Sequence, residues 1–113
     1  MPVFKPEVNL AAEYPKEVWY AIGIFDSLVR ELADTQCVIT SLNDGTHGQN
    51  SKHYQCLAFD VRTKNLYEQQ AKEVCTKAKL ILDPQGFDTV WEVDHIHCEY
   101  DPKAGELFIR KTD

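Results

Sequence analysis

Three side chains set far apart along the chain limit its possible folds more than any other feature: His53, Asp60 and His97. The first two stand seven residues apart in Asn-Ser-Lys-His-Tyr-Gln-Cys-Leu-Ala-Phe-Asp, residues 50–60. The third comes more than thirty residues later, in Val93-Asp94-His95-Ile96-His97. An acid, Asp94, precedes it by three residues. Three donors of mixed nitrogen and oxygen type, with a carboxylate to spare, are what a catalytic zinc site requires. The fourth coordination position stays open for water, and the spare carboxylate takes its proton.

The hydrophobic pattern supplies elements able to carry such a site. Residues 1–14 read as an extended arm over the surface. Pro15 suits the first turn of a helix whose apolar positions are Val18, Trp19, Ile22, Phe25, Leu28, Val29 and Leu32. Glu17, Asp26, Arg30 and Glu31 fall on its other faces. Cys37 to Ser41 is β-branched and short, which predicts a strand. Residues 42–55, with Asn43-Asp44-Gly45, Gly48 and Asn50, form a polar loop of the kind on which sites are assembled.

Residues 57–62 predict a strand carrying Asp60 inward. Asn65 with Glu68 predicts a capping box for a helix over 66–82, with Leu66, Tyr67, Ala71, Val74, Cys75, Ala78 and Leu82 inward. Asp83-Pro-Gln-Gly86 ends it. Strands follow at 87–93 and 95–100, and 106–111 closes a hairpin after the turn 101–105. Helix, strand, strand, helix and then tightly joined strands predict an α+β fold, with a small, mainly antiparallel sheet and helices on one face.

With 113 residues the chain is expected to be a single domain, residues 1–113. A net charge of −6 argues against a nucleic-acid partner, since neutralising phosphates needs clustered Lys and Arg. No apolar run approaches the ~20 residues that span a bilayer. No basic segment followed by an apolar one opens the chain, so synthesis in the cytoplasm without a secretion signal is expected. The four cysteines, Cys37, Cys56, Cys75 and Cys98, contain no close pair, which disfavours a four-cysteine zinc knot. They are expected to be reduced, with Cys37, Cys75 and Cys98 buried. No heptad pattern points to assembly, so a monomer is expected.

Ser51-Lys-His53-Tyr-Gln-Cys-Leu-Ala58-Phe-Asp60 resembles the S-x-H-x-x-G-x-A-x-D motif of the M15 zinc peptidases, and Asp94-His95-Ile96-His97 their acid-x-x-His motif in its H-x-H form. These are D-Ala-D-Ala carboxypeptidases, dipeptidases and phage endolysins that cut peptidoglycan stem peptides. The motifs, with the strand before them and the helix between, cover about two thirds of the chain. The resemblance implies a Hedgehog/DD-peptidase-like fold, a Zn2+ held by His53, Asp60 and His97, and Asp94 as general base. It places His95 in the site, where it stabilises the oxyanion; a role as a hydrogen-bonded neighbour competes with this.

Glu92 lies just before the His pair too, but outside the acid-x-x-His spacing, which favours Asp94 as base and leaves Glu92 to solvent or to orienting a ligand. The family carries an Arg upstream of the first ligand, and the matching region 40–44 has none. Arg62, two residues past Asp60 on the same strand and therefore on its face, is one substitute, equally readable as half of an ion pair. His47 in the loop is another. Ser51 is expected to cap or brace the loop and Tyr54 to line the substrate groove. Cys56 stands where the family motif has Gly. The expectation is a zinc metallopeptidase acting on peptidoglycan stem peptides, in the setting of a phage or prophage lytic enzyme released to the wall by another protein. The alternative is a zinc-bound, non-hydrolytic virion or wall-binding module.

Overall fold

A computed structural model describes residues 2–6, 8, 10, 14–42 and 57–101. Its elements run β1 (Val3–Phe4), α1 (Lys16–Ala33), β2 (Val38–Ser41), β3 (Ala58–Arg62), α2 (Glu68–Leu82), a 3-10 turn (Asp83–Gln85), β4 (Phe87–Trp91) and β5 (His95–Tyr100). The strands form one sheet in the order β1-β2-β3-β5-β4. Among the described residues β1–β2 is the parallel pair, and β2–β3, β3–β5 and β5–β4 are antiparallel. The fold is α+β, with both helices packed against the sheet.

The helices form where apolar residues recur at the helical period. Pro15 sits at the N-cap of α1, with φ −58° and ψ 148°, and Asp34 ends the helix in the left-handed conformation at φ 50°. Val18, Ala21, Ile22, Phe25, Leu28 and Val29 are the buried stripe. α2 contributes Ala71, Val74, Cys75, Ala78 and Leu82, and Gly86 at φ 98° turns the chain toward β4. Ile39, Phe59, Val61, Ile96 and Cys98 complete the core from the sheet. Phe25 of α1 meets Phe59 of β3 edge to face, with ring centres 5.6 Å apart. Cys37, Cys75 and Cys98 are free and buried. Burial pushes the Cys37 and Cys98 thiols up to about 12, so they are inert apolar packing groups.

Four local expectations are corrected. Within the stretch read as an arm, Val3–Phe4 joins the sheet, where Val3 N–H donates to the Cys37 carbonyl at 2.8 Å. A two-residue strand carries too little pattern to be recognised without its partner. The second helix begins at Glu68, and its cap is Gln70, whose Oε1 accepts from Tyr67 N–H at 3.0 Å. Asn65 instead donates to the Gln36 carbonyl, and Tyr67 faces solvent because it precedes the helix. Asp26, assigned to an outward face, is only 8% exposed, with Arg30 one turn away at 3.7 Å. Finally, Asp60 does not point toward the helix-covered core. It projects from the opposite face of the sheet, between the buried Phe59 and Val61.

That reversal follows from strand geometry. Successive side chains alternate faces, and β3 assigns Phe59 and Val61 to the core. Asp60 and Arg62 must then share the other face. On β5, burial of Ile96 and Cys98 leaves His95, His97 and Glu99 there as well. Between β2 and β3 the register shifts: Ile39 opposes Val61, but Ser41 opposes Asp60. This bulge places Ile39 in the core and Ser41 opposite Asp60.

Candidate functional site

The register of β3 against β5 assembles the polar face. Asp60 lies directly opposite His97, and Arg62 opposite His95. Opposed residues of an antiparallel pair project to the same side. Asp60 Oδ1 is 2.9 Å from His97 Nδ1, and Glu99 Oε1 is 3.0 Å from His97 Nε2. His97 therefore has a carboxylate on each ring nitrogen. Both nitrogens donating at once requires the imidazolium. The Asp60 contact, opposed by burial and supported by Glu99, raises the His97 pKa to about 9.

His95 occupies the neighbouring position on the same face. Its Nδ1 is 2.7 Å from Asp94 Oδ1, and its Nε2 lies 3.9 Å from Asp60 Oδ1 and 3.7 Å from Glu92 Oε2. The Asp94 carboxyl titrates below its ordinary value, chiefly because His95 hydrogen-bonds it. Asp94 is therefore ionised at neutral pH, as an acceptor of protons must be. The β4–β5 connection explains its placement. Glu92 N–H donates to the His95 carbonyl at 2.8 Å across a two-residue loop, Val93-Asp94. Thr63 N–H donates to the Asp94 carbonyl at 3.2 Å, tying that loop to the end of β3. Asp94 thus rises from a pinned hairpin tip next to His95, with its side chain 56% exposed.

Of the residues singled out in the sequence, Asp60, Arg62, Asp94, His95 and His97 come together at this end of the sheet. His53, His47, Ser51, Tyr54 and Cys56 lie outside the described residues. Among the described residues, no group of three or more His, Cys, Asp or Glu side chains is arranged to hold a metal ion. Two of the three residues expected to hold a metal, Asp60 and His97, are side by side. A carboxylate and an imidazole meet at 2.9 Å, and the far nitrogen of the imidazole is held by a second carboxylate. His53, seven residues before Asp60, is the third residue of that expected set.

Two neighbours were missed. Glu99 follows His97 by two residues, so the alternation that pairs His95 with His97 also reaches it. Val90, opposite His97 on β4 and 42% exposed, is an apolar side chain beside the polar cluster. Its position depends on the β4–β5 register, which no local pattern displays. Among the described residues, no helix is long and apolar enough to cross a membrane. Set beside known proteins, the chain matches no family model and no curated protein.

Proposed function

We propose that this protein is a zinc-dependent peptidase that hydrolyses a peptide bond in bacterial peptidoglycan stem peptides, in the setting of a phage or prophage lytic enzyme. The observation that carries the reading is the pairing of Asp60 with His97 across β3 and β5, side chain to side chain, with His95 and Asp94 beside them. Asp60 and His97, together with His53, would hold the metal. A zinc ion held there would supply an acidified water and a Lewis acid for the scissile carbonyl.

The chain's own residues divide the remaining work. His95 holds Asp94 through Oδ1, which leaves Oδ2 to accept a proton from the attacking water. The same oxygen returns that proton to the departing amine as the C–N bond breaks. His95 and Arg62, opposite one another on the site face, supply positive charge or hydrogen-bond donors where the oxyanion develops. Val90 offers an apolar contact to a small substrate side chain.

Mass spectrometry of purified peptidoglycan incubated with the protein, with and without a zinc chelator, tests this reading. New muropeptides that disappear with the chelator are expected, and their masses identify the bond cut. An unchanged digest from protein shown to hold one zinc overturns hydrolysis and leaves a zinc-bound binding module.

A further inference from the structure

His97 can offer a metal only one ring nitrogen, and the other must donate its proton to something fixed. Asp60 approaches Nδ1 from the neighbouring strand and is itself a candidate ligand, so Nδ1 is the nitrogen on the metal's side. Glu99 meets Nε2 at 3.0 Å from two residues further along β5. Both side chains are largely shielded, His97 at 18% and Glu99 at 28% exposure, which strengthens a charge-assisted bond.

The position is otherwise a poor one for a carboxylate. Glu99 lies directly opposite Asp88 on β4, and like charges opposed across an antiparallel pair are destabilising. On its other side stands Ala58 of β3, which brings no charge. Among the described residues, the His97 N–H offsets that repulsion.

We propose that Glu99 is the positioning residue of the metal centre: by accepting the Nε2 proton of His97 it fixes the imidazole tautomer and presents Nδ1 beside Asp60. This rests on the zinc reading above. Glu99 touches neither metal nor substrate and acts only through His97.

Zinc affinity, measured by competition with a chromophoric chelator, should fall about 10–100-fold in Glu99→Ala. Glu99→Gln should retain most of the affinity, because its carbonyl oxygen still accepts from Nε2–H. In zinc-loaded wild-type protein, nitrogen-15 NMR of the histidine rings should show the His97 proton on Nε2. A role limited to folding would lower the melting temperature of Glu99→Ala and leave the zinc dissociation constant and the tautomer unchanged, which overturns the proposal. Equal loss in the Gln and Ala variants also overturns it, since charge and not hydrogen-bond acceptance would then matter. Should Glu99→Ala fail to fold, the Gln variant and the wild-type tautomer decide, and a proton on Nδ1 overturns the proposal. Wild-type protein that takes up no zinc removes the zinc reading itself, a failure distinct from any defect confined to position 99.

Discussion

The two faces of the sheet are written into the same strands and obey different rules. On the helix side, Phe59, Val61, Ile96 and Cys98 are fully buried and held by packing. On the other side, Asp60, Arg62, His95, His97 and Glu99 are partly exposed, and Asp60, His95, His97 and Glu99 are related by hydrogen bonds and charge at specific atoms. The packed face tolerates exchange of one apolar residue for another of similar volume. The polar face does not, because each bond there depends on which atom is presented and in which protonation state. A chain can therefore keep its fold while losing its chemistry, and substitutions one residue apart should separate the two.

The largest effect is expected from His97→Ala, which should eliminate zinc retention and turnover together while leaving a folded protein. Metal analysis beside circular dichroism checks this. If the variant unfolds as readily as a core variant, the two faces are not independent and the comparison fails. Asp94→Ala should lower kcat by roughly 10²–10⁴-fold with zinc still bound. Persistent activity would remove Asp94 as the base and make Glu92, which also reaches His95, the next residue to test.

Phe59→Ala marks the opposite case. It empties a fully buried site against Phe25 and should cost about 3–5 kcal/mol in urea unfolding. Activity per folded molecule should change little.

The pH dependence sharpens the contrast further. His97 has a folded pKa of about 9 against an ordinary 6.5, so the metal-free folded state binds the proton more tightly than the unfolded chain. Its contribution to stability is full below pH 6.5 and is lost as pH rises through 9. Thermal melts of chelator-treated protein across that window should decline more steeply for wild type than for His97→Gln. Zinc must displace the same proton, so zinc affinity should rise over the same interval. The smallest expected effect lies away from both faces: Gln70→Ala removes the acceptor that caps α2 and should cost about 0.5–1.5 kcal/mol in thermal unfolding.

Much of this was legible in the chain wherever the information is local. The stripe from Val18 to Val29 specifies α1 through its period alone, and the alternation in His95–Tyr100 specifies both a strand and the shared face of His95 and His97. Burial of Cys37, Cys75 and Cys98 follows from their apolar surroundings. The pairing of Asp60 with His97 is different, because register between strands 37 residues apart is set by the whole sheet. Motif spacing indicated that the two residues should meet, without the hydrogen bond that joins them or the face on which they do so. Val3–Phe4 is a strand only because β2 accepts it, and Gln70 rather than Glu68 caps α2 because the helix starts later than the Asn65 signal implies. Glu99 was within reach of the same alternation that found His95.

The bulge in β2 has a consequence for how the site tolerates change. A strand behaves like a binary tape, each residue reading in or out, and any run of regular pairing preserves the parity. Ile39 and Ser41 are two positions apart and would read alike on an unbroken tape, yet one pairs with the core residue Val61 and the other with Asp60. The extra residue shifts the frame by one at the point where β2 reaches the site. Uniform pairing with Thr40 in place would set Ser41 opposite Phe59, on the core side, so the extra residue is what brings Ser41 beside Asp60. Deleting Thr40 should leave Ile39 and Ser41 on their present faces, because it removes only the residue that breaks the alternation.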